Sequence, residues 1–285
     1  AEGLLVFWHN QGDGVAEGPE HGSIEGQHFN SPGVALWADG LEVRNIIEPP
    51  SAERSLESLD AISDGAGGAY VIFEAAKTPA AGDFDVVMQR ISGAGNRLWE
   101  DHRPVIADDL DTRLQAVAAA PDGGFVVITA EPIGDFGSRL RLFRVDPDGF
   151  HLWGTSGLPL GDSGATTLKA FPHASFDAGT LRIAWTEQVS PLSVEMDIYF
   201  GRFAADGSRL GSGSAEVVTS ASDSQFCQGL VYHQAPPRTV VLWEDLRKGG
   251  PEDVDIYASQ LAASVIFATG FELGDFSGWD VVVGQ

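Results

Sequence analysis

GNRLW, residues 95–99, decides how this chain is read, because it recurs as GVALW at 33–37 and GFHLW at 149–153, and in a worn form as GSRLG at 207–211. The opening glycines stand at 33, 95, 149 and 207, so the copies are 62, 54 and 58 residues apart. Self-similarity at such a period marks a repeat architecture, which in a chain of 285 residues outweighs the two-domain reading that length alone would allow.

Four short extended segments accompany each copy, rich in apolar and β-branched residues and bounded by Gly, Asp, Ser and Pro. The first in each unit reads LDAIS (59–63), LQAVA (114–118), LKAFP (168–172) and FCQGL (226–230). The second reads GLLVFW (3–8), AYVIFE (69–74), FVVIT (125–129), LRIAW (181–185) and TVVLW (239–243). The third reads IEGQHF (24–29), DVVMQRI (85–91), RLRLFRV (139–145), DIYFGRF (197–203) and DIYASQL (255–261), and GxxLW itself is expected to be the fourth. The turns before it carry Gly33, Gly95, Gly149 and Gly207, where a tight hairpin asks for positive φ.

Units of this size with four strands each predict an all-β fold, a five-bladed β-propeller of four-stranded antiparallel blades. A lone sheet cannot bury both faces, so large flat side chains must fill the gap between neighbours. Trp37, Trp99 and Trp153 are expected in that role, as are Trp8, Phe73, Trp185 and Trp243 near the ends of the second strands; a sugar-binding platform is the competing use for such aromatics.

DGAGGAYVIFE (64–74), DIYASQL and GNRLW resemble the DGxGGxxVxWxD, DIYxQRL and GxxLW repeats of secreted bacterial β-propellers, over roughly residues 3–262. VIFATGFELGDFSGW (265–279) is similar to a GFExGDxSxW segment found near the ends of secreted bacterial proteins. The resemblance implies fold and an extracellular, bacterial location; neither pattern carries a defined catalytic residue.

Composition narrows the partners. With 17 Lys+Arg against 41 Asp+Glu, the net charge of −24 repels nucleic-acid phosphates and anionic membrane surfaces. No apolar run reaches the roughly 18 residues of a spanning helix, the longest lying near 262–271, so membrane insertion is not expected. Ala1 is the kind of residue left after a signal peptidase has cut, which agrees with secretion. Cys227 is the only cysteine and excludes an internal disulfide; it is expected as an inert core residue.

Site signals are sparse. A propeller glycosidase needs carboxylates on several first strands, whereas only Asp60 lies within one, with Asp64 and Asp177 in the turns that follow. Asp108, Asp109 and Asp111, and likewise Asp146 and Asp148, offer oxygen ligands of the kind Ca²⁺ takes, but without the spacing of a calcium loop, and solvated turns are the favoured reading. His9, His21, His28 and His102 form no zinc-binding pair, no nucleophile elbow or phosphate loop is present, and no cofactor is expected. The loops at 11–22 and 247–254 are where binding specificity would reside.

The ends of the chain are complementary in strand count. The first unit has no first strand, and after a closing strand at 264–270 the stretch GWDVVVG (278–284) remains, with Trp279, Val281 and Val283 in alternation. This divides the chain into a propeller, 1–263, and a tail, 264–285, that completes the first blade by pairing with 3–8, where Leu5 and Phe7 would receive it. The tail closes its own ring or enters a neighbour's, and donation between molecules builds a filament. The expected function is a secreted, non-enzymatic structural or adhesive protein, self-associating head to tail; the alternative is a carbohydrate-binding or carbohydrate-cleaving propeller with glycans as partners. Deleting residues 276–285 should alter assembly state or stability, read by light scattering and electron microscopy. Unchanged filaments would eliminate donation, and an unchanged, fully stable monomer would eliminate both forms of closure.

Overall fold

The computed structural model describes residues 3–10, 23–37, 41–45, 58–76, 84–99, 102–106, 110–134, 137–161, 167–211, 215–235, 237–247 and 254–261. Among them there is no helix, and the strands make five antiparallel sheets. The first holds β1 (Gly3–Asn10), β2 (Ser23–Asn30) and β3 (Leu41–Asn45) in sequence order. The second holds β4 (Leu59–Ser63), β5 (Ala69–Ala76), β6 (Phe84–Ile91) and β7 (Arg103–Ile106), and the third β8 (Arg113–Ala119), β9 (Phe125–Ile133), β10 (Gly137–Val145) and β11 (Leu158–Pro159). The fourth comprises β12 (Lys169–Asp177), β13 (Thr180–Gln188), β14 (Met196–Ala204) and β15 (Glu216–Thr219), and the fifth β16 (Gln225–Gln234), β17 (Pro237–Asp245) and β18 (Asp255–Leu261). Every strand pairs with its sequence neighbour, which short turns permit in antiparallel sheets.

The chain divides into two compact units, Ala1–Glu131 with Phe143–Gly157, and Pro132–Leu142 with Leu158–Gln285. In the first unit β5 is buried on both faces, and its period of two distributes its side chains between two cores. Val71 and Phe73 join Ile24, Trp37 and Val87, while Tyr70 and Ile72 join Trp99, Phe125 and Phe143. In the second unit Ala184, Ile198, Phe200, Cys227, Val241 and Trp243 form one cluster. Trp185 stacks on its cross-strand partner Tyr199 at 6.0 Å, and Trp243 on Tyr257 at the same distance.

The expectation that GxxLW is the fourth strand is corrected. The motif ends a hairpin turn: Leu36, Leu98, Leu152 and Leu210 donate their amides back to the carbonyls of His28, Arg90, Arg144 and Arg202, and one isolated bridge closes each turn. The outer strands β3, β7, β11 and β15 begin further along the chain. A side chain explains why the ladder stops at the tryptophan. Gln89 donates from its amide to the Trp99 carbonyl and accepts from the Trp99 amide, and Gln27 holds Trp37 in the same way.

What the glycine and the tryptophan of one motif do for each other is indirect. Trp37 packs on the glycine of the next copy, where a β-carbon on Gly95 would lie 2.9 Å from its indole nitrogen, and Trp37 Nε1 donates to the Gly93 carbonyl at 3.3 Å. Trp99 packs on Gly149 in the same manner, again with 2.9 Å to a β-carbon placed there. Both glycines also have φ in the left-handed region, +83° and +87°. Trp37, Trp99, Phe73, Trp185 and Trp243 are buried as expected, and Trp153 is half-buried. Trp8 departs from the expectation at 38% exposed. It lies on the face of the edge strand β1 opposite Leu5 and Phe7, which pack against the Ile24, Trp37 and Phe73 cluster.

Gly33 has the same φ of +83° as Gly95 but open space where a β-carbon would point. Gly33→Ala should therefore cost only the conformational penalty, about 1 kcal/mol. Gly95→Ala should cost about 1–3 kcal/mol more, because the indole must move. Denaturant titration of both variants checks this, and equal losses would contradict the seating of Trp37.

Candidate functional site

The first strands β4, β8, β12 and β16 stand at the open edge of their sheets, and three of the four are bulged at matching levels. Gln115 is the extra residue between Leu114 and Ala116, Phe171 and Pro172 together oppose one partner between Ala170 and His173, and Gln228 is extra between Cys227 and Gly229. β4 pairs without interruption, with Asp60 opposite Ile72. Bulges re-aim side chains and interrupt pairing, and they concentrate beside functional sites. No compositional signal marks them in the sequence.

In the first unit the chemistry-bearing residue on a first strand is Asp60. Burial raises its carboxyl above the usual carboxylate range, against the opposing effect of hydrogen bonds from the Ala61 and Val117 amides. Asp64 is different. Burial works to raise it, but the amides of Ala66 and Gly68 and the Arg90 guanidinium outweigh that, leaving it below the usual range. Arg90 also reaches the Pro147 carbonyl, so this acid fixes a turn and the packing on it. Asp122 repeats the arrangement with Arg144.

In the second unit the Gln234 side-chain amide donates to both carboxylate oxygens of Asp177, each contact 2.8 Å long, and Asp177 is half-buried. Phe171 and Phe226 meet edge to face with centroids 5.9 Å apart. Burial lowers the pKa of His173, against the opposing effect of its bond to the Cys227 backbone. Burial pushes the Cys227 thiol up to about 12, which makes it the inert core residue expected.

A set of carboxylates that sequence reasoning missed lies at the ends of the second strands. Glu187 accepts from Trp185 Nε1 at 2.9 Å and pairs with Lys169 at 3.0 Å; Asp245 accepts from Trp243 Nε1 at 3.3 Å and pairs with Arg247. The spacing Trp-x-acid, in WTE and WED, was the available signal. Glu74 accepts the Leu114 amide at 2.7 Å and pairs with Arg113, so it clasps β8 onto the preceding sheet. These acids are saturated by structural partners.

The remaining candidates are local. Asp146 caps its own turn through the amides of Asp148 and Phe150, and Asp111 accepts from the Phe84 amide. His28 packs on Trp37, and His102 on Phe73. Trp279, Val281, Val283, Asp108, Asp109 and His21 lie outside the described residues, as do the segment 264–270 and most of the two loops. Among the described residues no three His, Cys, Asp or Glu side chains are grouped to hold a metal ion, and no helix is long and apolar enough to cross a membrane.

The sequence matches no protein-family model and no curated protein. Solved structures do resemble the fold. Puromycin hydrolase has a TM-score of 0.54 at 17% identity, over 93% of this chain and 38% of that one, so this chain spans well under half of that enzyme. An endo-arabinase from Bacteroides thetaiotaomicron has a TM-score of 0.43 at 9% identity, covering 93% of both chains. A thermostable family-43 glycoside hydrolase has a TM-score of 0.45 at 8% identity, covering 92% of both. At these identities the likeness is one of fold. The expectation of a non-enzymatic structural or adhesive protein is nevertheless corrected, because the solved structures matched here are hydrolases.

Asp60 offers a test of the first-strand environment. Its folded pKa is raised, so ionisation opposes folding, and stability falls as pH rises through the folded pKa. Asp60→Asn should be more stable than the parent at pH 7, with the difference shrinking as pH falls towards the ordinary value of 3.8. Unfolding midpoints measured across pH check this; a parent more stable than the variant at neutral pH would contradict the burial of Asp60.

Proposed function

We propose that this chain is an extracellular, carbohydrate-cleaving β-propeller of five blades, in which Asp60 is the proton-donating carboxyl. The observation that carries the reading is Asp60 itself, a carboxyl on an otherwise acid-poor set of first strands, with its protonated form favoured by burial. In glycoside hydrolysis one carboxylic acid protonates the departing oxygen while water, activated directly or after a carboxylate has attacked, adds to the anomeric carbon, and a raised pKa favours the protonated form that the first of these roles needs. The other acids near sheet ends are occupied by Trp, Lys, Arg or backbone amides, which supports Asp60 over Glu187 or Asp245 for this role. The net charge of −24 favours neutral glycans over polyanionic ones.

The test is release of reducing sugar from a panel of neutral polysaccharides. The parent should cleave at least one, with activity declining as pH rises and Asp60 ionises. Asp60→Asn should lower turnover by roughly 10²–10⁴-fold while substrate still binds. Absence of cleavage across the panel would overturn the reading, and full activity in Asp60→Asn would remove Asp60 from it.

A further inference from the structure

We infer that Phe171 and Phe226, on the adjoining edge strands β12 and β16, form a stacking subsite for a neutral sugar ring, with the exposed Gln228 as its polar contact. The inference rests on the carbohydrate reading and gives it a place of contact. Phe171 has φ of +50°, a region that bulky residues rarely occupy and that costs energy to hold. Burial does not offset that cost, since Phe171 is 53% exposed. A glycine would relieve the backbone there, so an aromatic ring at this point is best accounted for by something that the ring touches.

Its surroundings fit a sugar. Phe226 meets the Phe171 ring at 88° and fixes its orientation, leaving a face for the apolar side of a pyranose or furanose. Gln228, the extra residue of the β16 bulge, is exposed on the neighbouring strand and brings an amide that can both donate and accept. His173, two residues beyond Phe171, is half-buried and bonded to the Cys227 backbone, which ties β12 to β16 beside the two rings. An extended peptide is the poorer fit. It would bind an edge strand through a continuous ladder, and both β12 and β16 break that ladder with a bulge at this level.

The experiment uses the full chain and its Phe171→Ala and Phe171→Gly variants. Binding of xylotetraose, cellotetraose, arabinotetraose and a decaproline peptide is measured by titration calorimetry, beside the melting temperature of each protein. The parent should bind at least one tetrasaccharide. Both variants should bind it roughly tenfold more weakly, while Phe171→Gly melts no lower than the parent because it releases the strained backbone. Tetrasaccharide binding unchanged in both variants would overturn the subsite and leave the cleavage reading standing. Loss of binding together with a large fall in melting temperature in both variants would make Phe171 a packing residue and overturn the subsite. Binding of decaproline alone would overturn it in favour of a peptide surface. No tetrasaccharide binding by a parent that cleaves polysaccharide would overturn the subsite alone; no binding and no cleavage would overturn both.

Discussion

The structure depends on an indole lying over a glycine that belongs to the next repeat. Trp37 on Gly95 and Trp99 on Gly149 couple successive sheets through a contact that tolerates no β-carbon, in a backbone conformation that also disfavours one. Two separate constraints therefore converge on one residue type. The glutamine clamps at Gln27 and Gln89 take the tryptophan out of the ladder, and the outer strands can start only after it. Trp99 and Trp37 are consequently buried although they sit in turns.

Around this packing the acidic residues divide into two groups. Asp64, Asp122, Glu74, Glu187 and Asp245 hold cations, amides or indoles, and their energy goes into fixing turns and adjoining strands. Asp60 stands apart, on an edge strand with its charge disfavoured by burial. A partnered carboxylate has its ionised form stabilised and so holds no proton to give, while burial without a cation favours the protonated form. Charge count alone does not make this distinction. An overall excess of acid says how the molecule repels polyanions, but the environment of each carboxyl decides which one can give up a proton.

The second and third strands of every repeat were legible in the sequence because each recurs at the same place relative to the GxxLW turn, and most are long and apolar. β5 and β9 are buried on both faces and read as unbroken apolar runs. The outer strands were misplaced for a physical reason. The apolar residues that advertised a strand, Leu and Trp, belong to a turn, and β7 and β15 are only four residues each, RPVI and EVVT. Bulges escaped notice because one extra residue leaves no mark on composition. Phe171 reads as an ordinary strand residue in LKAFP, and only its backbone angle shows otherwise. Asp60 was visible as the one acid within a first-strand segment, but not the burial that raises its pKa.

The indole and the glycine it covers come from neighbouring copies, and this bears on how such a chain can grow. A duplicated segment running from one GxxLW to the next carries both halves of the contact, a glycine for the copy before it and a tryptophan for the copy after it. Inserting or removing a whole copy leaves every interior joint matched, and only a terminal glycine goes uncovered, as Gly33 does among the described residues. Loss of the tryptophan alone is harder to absorb, since it removes the buried indole that packs on the next copy's glycine. The copy at Gly207–Gly211 ends in Gly211 where the other three end in tryptophan, so it offers no indole to a copy beyond it.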